Sequence, residues 1–145
     1  MTPHPAHPSR VRRIPAAATR RLVAKALAAS SGPPTLDISA FEKAPAGLLR
    51  SLPSWVGSSG LLRGGDEFVL WCTPRRNPKE RRAGQFVLDL PSGRYFVEVF
   101  DPNVAAWVSR ESAEGGPLVA GLPFAEGPVL ARVRAAGRPD DLGGG

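Results

Sequence analysis

The chain has 145 residues, enough for one domain with a buried core, and no apolar run approaches the length needed to cross a bilayer. Its 16 Gly and 16 Pro, without a repeat period, point to many tight turns together with disordered flanks. The net charge of +6 raises the question of nucleic acid. Residues 1–30 hold Arg10, Arg12, Arg13, Arg20, Arg21 and Lys25 and no acid, so the remaining 13 basic residues meet 13 acids and the excess is expected in a tail.

Residues 1–35 read as a disordered or weakly helical basic flank. Met1–Ser9 is rich in Pro and His. A helix is predicted from Pro15 to Ala29, with Pro15 suited to a first helical position and Leu22, Val23, Ala26 and Leu27 as its apolar stripe. Ser30-Ser31-Gly32-Pro33-Pro34 breaks it. In composition this start resembles a transit peptide. It equally resembles the translation of GC-rich DNA ahead of a true start, or a fragment, and these last two are preferred.

Residues 36–58 read as a short helical and linker segment, with Leu36, Ile38, Phe41, Leu48, Leu49 and Leu52 interrupted by Pro45. From Leu61 the pattern changes to period two. Phe68-Val69-Leu70-Trp71-Cys72 is a continuous apolar run, as expected of a strand covered on both faces. Gln85–Leu90 sets Phe86, Leu88 and Leu90 on one face, and Leu90-Pro91-Ser92-Gly93-Arg94 reads as a hairpin turn. Arg94–Phe100 alternates, Asp101-Pro102-Asn103 turns again, and Val104–Ser109, Pro117–Leu122 and Val129–Arg134 follow as short strands. The expected fold is all-β: a small antiparallel β-sandwich of about six to eight strands over 59–135, its interior holding Trp71 and Cys72. Residues 136–145 should form a disordered tail.

Candidate chemistry is sparse. Cys72, the single cysteine, excludes an internal disulfide and sits in the most apolar strand, where burial makes a thiol inert. His4 and His7 lie in the flank, so no His base stands near a nucleophile, and two ligands without a third make a poor metal site. No cofactor is expected. Glu98, Asp101, Glu111 and Glu114 show nothing that would split a glycosidase pair into acid and base, and they read as structural or solvated, the last two in a loop. Of the three tryptophans, Trp71 reads as core. Trp107, with Asp101 and Asn103 at the adjoining turn, is nominated for carbohydrate or partner contact, and Trp55 for packing on a neighbouring domain. Arg75, Arg76, Lys79, Arg81 and Arg82 form a long exposed hairpin loop that could meet an anionic partner, although no aromatic residue there would stack a base.

Three segments carry a family resemblance. They are Leu61–Trp71, then Leu88-Asp89-Leu90-Pro91-Ser92-Gly93-Arg94-Tyr95 running to Phe100-Asp101-Pro102, and Leu122-Pro123-Phe124 with Val129–Val133. Together Gly60–Val133 resembles the C-terminal β-sandwich domain, of collagen-binding type, that follows the catalytic barrel in bacterial glycoside-hydrolase-like proteins. The chain departs from that pattern at Asn103-Val104-Ala105 and in the longer 75–82 loop. The resemblance implies a non-catalytic accessory module that packs on an upstream catalytic barrel or contacts a polysaccharide. Residues 36–56 would then be the barrel's last helix and linker. No catalytic residue carries over. The alternative is a stand-alone module binding an anionic partner through 75–82.

Overall fold

A computed structural model describes residues 11–28, 38–45 and 47–136. The His4 and His7 segment, the break at 30–34, Leu36 and the tail from 137 onward lie outside the described residues. The elements run β1 (Arg12–Arg13), α1 (Ala16–Ala28), β2 (Glu42–Lys43), β3 (Leu49–Ser51), β4 (Val56–Gly64), β5 (Glu67–Pro74), β6 (Gly84–Leu88), β7 (Arg94–Asp101), β8 (Ala106–Glu114), β9 (Leu118–Leu122) and β10 (Val129–Ala135). The larger sheet has the order β1-β4-β5-β10-β7-β8 with β2 also on β4, and the smaller is β3-β6-β9. The chain is therefore an all-β sandwich with a short helical N-terminal flank. All its strand pairs among the described residues are antiparallel except β1 with β4.

Period-two alternation gives the large sheet two apolar faces. Toward the small sheet it presents Phe68, Leu70 and Cys72 from β5, Val97 and Val99 from β7, and Val129, Ala131 and Val133 from β10, packed on Phe86, Leu88, Leu118 and Leu122. Toward α1 it presents Leu62, Val69, Trp71, Phe100 and Leu130, which meet Val23 and Ala26. The apolar run in β5 is thus covered on both sides, as its sequence predicts. Trp71 and Cys72 are both buried, but neighbours in a strand point to opposite faces. Only Cys72 lies between the sheets; Trp71 lies under the helix.

Alone, a 13-residue helix is marginal in water, so α1 depends on this packing. Its buried stripe is Thr19, Val23 and Ala26, one step round from the expected one, and Leu22 is left exposed. Thr19 satisfies its buried hydroxyl by donating to the Pro15 carbonyl at 3.0 Å. It sits so close over Gly60 that a Cβ there would fall 2.1 Å from Thr19 Oγ1, which makes Gly60 the contact point between helix and sheet.

Several expectations change. The segment 36–58 carries β2 and β3 in place of helical turns, and β1 brings Arg12 and Arg13 from the basic flank into the large sheet. Pro91-Ser92-Gly93 does not close a hairpin: β6 and β7 belong to different sheets, and the turn arches between them, held by Tyr95 Oη donating to the Pro91 carbonyl at 2.9 Å. The 75–82 loop likewise crosses from β5 in the large sheet to β6 in the small one. Strand β8 extends to Glu114, so Glu111 and Glu114 are strand residues. Asp101-Pro102-Asn103 does join paired strands, β7 and β8.

Candidate functional site

The structure brings Asp101, Asn103 and Trp107 together at the β7–β8 turn. Asp101 Oδ1 accepts from the Asn103 amide at 2.9 Å, so this carboxylate is engaged in shaping the turn. Trp107 is half-buried on the helix-side face, edge-on to Phe100 with ring centroids 5.2 Å apart, and its Nε1 is buried without a hydrogen-bond partner among the described residues. Trp55 is elsewhere. It is 2 % exposed on the inner face, packs edge-on against Phe124 at 5.2 Å, and donates from Nε1 to the Arg82 carbonyl at 3.0 Å. No face of its ring is presented for a sugar.

The basic loop is partly neutralised by its own surroundings. Arg81 pairs with Glu126 at 3.5 Å and Arg82 with Glu80 at 3.2 Å, both exposed. Arg75 donates from Nε to the Ser54 carbonyl at 2.8 Å. Arg76 and Lys79 remain as exposed cations.

The acids of the large sheet form an ion-pair ladder on the face that carries Trp107. Strand register places Arg132 opposite Glu98, and Glu98 opposite Arg110. Arg132 meets Glu67 through Nε in a close contact and reaches Glu98 Oε1 at 3.7 Å, while Arg110 binds Glu98 Oε2 at 2.9 Å. Glu98 is 6 % exposed overall, and with Glu67 and Arg132 it is largely withdrawn from water, whereas Arg110 reaches it from solvent. Carboxylates held between guanidinium groups act as structural anions.

Cys72 is fully buried, and desolvation alone pushes its thiol far above the ordinary value. Burial pushes the Tyr95 phenol the same way. A raised folded-state value contributes stability that is whole below the unfolded value and lost as pH climbs through the folded one. Urea melts should therefore weaken progressively above about pH 9, the thiol's ordinary value. Cys72→Ala should flatten part of that alkaline limb, and a thiol reagent should label the native protein only as fast as it opens. Rapid native labelling would contradict this.

An extended concavity bordered by several cations lies on one side of the sandwich, between the free edge of β3 and the edge of β4 that β1 and β2 flank. Three adjoining depressions of about 330, 370 and 450 Å³ share Arg13, Leu49 and Ser59 at one junction and Lys43 and Pro45 at the other. Short strands shape it. The Ile14 amide donates to the Ser59 carbonyl at 2.8 Å, and the Ala44 amide to Leu61 at 3.2 Å, so β1 and β2 flank β4 and leave a gap between them. The floor is the margin of the inner core, Val11, Leu49, Leu52 and Leu61. The rim carries Arg13, Lys43, Arg50 and Arg63, all exposed, against one acid, Glu42. Arg50 leans toward Asp89 at 3.8 Å and Arg63 Nε donates to the Gly65 carbonyl at 3.1 Å. Arg13 and Lys43 make no ion pair among the described residues. Sequence reasoning missed this groove because its cations come from four segments, three of them in strands too short to show a period.

Comparison with known proteins adds no relative: no family model, no curated protein and no solved structure matches the chain.

Proposed function

We propose that this chain is a non-catalytic β-sandwich module that binds an acidic polysaccharide along the groove between β3 and β4. The observation that carries the reading is the pairing of an aliphatic floor with a cationic rim, in which Arg13 and Lys43 lack acidic partners among the described residues. A uronate-type chain offers the complement: C–H ring faces for Leu49 and Leu61, and carboxylates for the rim. Among the described residues no aromatic lines the groove, so it offers no platform for stacking bases, which disfavours single-stranded nucleic acid. The family resemblance supports the polysaccharide class, and with it the proposal that the module stands beside a sugar-cleaving domain.

Binding driven by several exposed cations should weaken steeply with salt. The test compares a labelled oligogalacturonate, a neutral cello-oligosaccharide and an acidic peptide at low and moderate salt. The expected result is salt-sensitive binding of the oligogalacturonate, lost in Arg13→Ser/Lys43→Ser/Arg63→Ser and retained in Arg76→Ser/Lys79→Ser. Loss in the loop pair alone would move the site to 75–82. Equal binding of the neutral sugar, or none of the uronate, would overturn the reading.

A further inference from the structure

We infer that β8 is a homodimerisation edge, which pairs antiparallel with β8 of a second copy about a two-fold axis at Ser112. Strand β8 ends the large sheet, paired on one side with β7 and bearing a free backbone edge on the other. A two-fold axis at Ser112 pairs its five residues from Arg110 to Glu114, all exposed except half-buried Ala113. An open edge invites another strand unless proline, a bulge or unmatched charge blocks it; β8 contains no proline, and its register shift lies at Trp107–Ser109, ahead of the pairing segment, so its charges decide which strand it accepts.

Charge selects both the occupant and the register. Residues directly opposite in an antiparallel pair point to the same face, and like charges there repel. An axis at Arg110 would set that arginine against its own copy, and an axis at Glu111 would do the same for two carboxylates. With the axis at Ser112, Arg110 stands opposite the partner's Glu114, and Glu114 opposite the partner's Arg110. Arg94 is the register neighbour of Glu114 within each copy. One row across the joined sheets then reads Arg132, Glu98, Arg110, the partner's Glu114, the partner's Arg94, with the sign alternating at every step. The ladder that ends at exposed Arg110 in one copy is thus continued by the other, and symmetry repeats the match. On the opposite face, Glu111 stands across from the partner's Ala113, which carries no charge to oppose it.

The interface is a strand edge, so the affinity expected is that of a weak, transient dimer in the micromolar-to-millimolar range. Sedimentation of the full chain over that range should show a reversible monomer–dimer equilibrium. Glu114→Arg, which leaves the Glu98 pairs untouched, should weaken dimerisation by about tenfold, because two symmetric attractions become repulsions at once. Arg110→Glu should do the same, and Arg110→Glu/Glu114→Arg should restore dimerisation by exchanging the signs. Circular dichroism confirms that each variant is folded. A chain monomeric throughout, a dimer indifferent to Glu114→Arg, or a folded double variant that fails to recover would each overturn the assignment. Oligogalacturonate binding by the monomeric variant keeps this result separate from the groove.

Discussion

Replacing Arg132 with Met is expected to cost about 3–5 kcal/mol of stability, the scale of removing one member of a buried ion pair. Arg132 lies on the central strand and serves two carboxylates, Glu67 and Glu98, whose side chains are 19 % and 8 % exposed. Without it, Glu67 loses its ion-pair partner among the described residues, and Glu98 keeps Arg110, which is itself largely in solvent. Exposed pairs such as Arg94–Glu114 should contribute far less, commonly under about 1 kcal/mol. Urea unfolding of Arg132→Met beside Arg94→Met measures the contrast. Combining Arg132→Met with Glu98→Leu and Glu67→Leu should recover much of the loss, because the three buried charges then leave together and only solvent-exposed Arg110 remains. Equal effects at Arg132 and Arg94 would show that the ladder is as hydrated as the surface.

Trp55→Ala should cost a comparable amount, about 3–5 kcal/mol for truncating a buried large aromatic side chain. The ring fills the end of the inner core against Phe124, and its Nε1 holds the carbonyl of Arg82. Trp55→Phe keeps most of the packing and removes that hydrogen bond, for a loss nearer about 1 kcal/mol. Because Arg82 is the far end of the basic loop, Trp55→Ala should also accelerate proteolysis between Pro74 and Ala83. Thermal melts and limited digestion of the two variants would separate the effects. A Trp55→Ala protein of native stability that had lost carbohydrate binding would mark this ring as a ligand contact after all.

The Ser/Gly-rich start of β4 and the polar end of β8 read as linker and loop. Strands β5, β6, β7, β9 and β10 were legible because each carries enough alternating or continuous apolar residues to set its period, as in Phe68–Cys72 and Tyr95–Phe100. Three features were not. A two-residue strand such as Arg12–Arg13 or Glu42–Lys43 has no period, and it forms because the exposed edge of β4 offers backbone partners. A turn such as Pro91-Ser92-Gly93 states that the chain reverses, but not whether the next strand joins the same sheet. Glu98 read as structural or solvated rather than as the middle of a buried ladder, because its partners Arg132 and Arg110 come from strands that only tertiary pairing sets beside it. Trp107 and Asp101 were correctly placed beside one turn, while the groove drew on residues from 13 to 63 that only folding brings together.

The position of β10 bears on how the molecule comes to be made. The β4–β5 and β7–β8 hairpins each assemble from neighbours in sequence, but they touch within the large sheet only through β10, which lies between them. During synthesis both hairpins must wait with one edge unsatisfied until Val129–Ala135 has left the ribosome. The nascent chain is therefore most vulnerable to mispairing in the interval after β8 emerges, and a chaperone that shields strand edges would matter at that moment more than at any other.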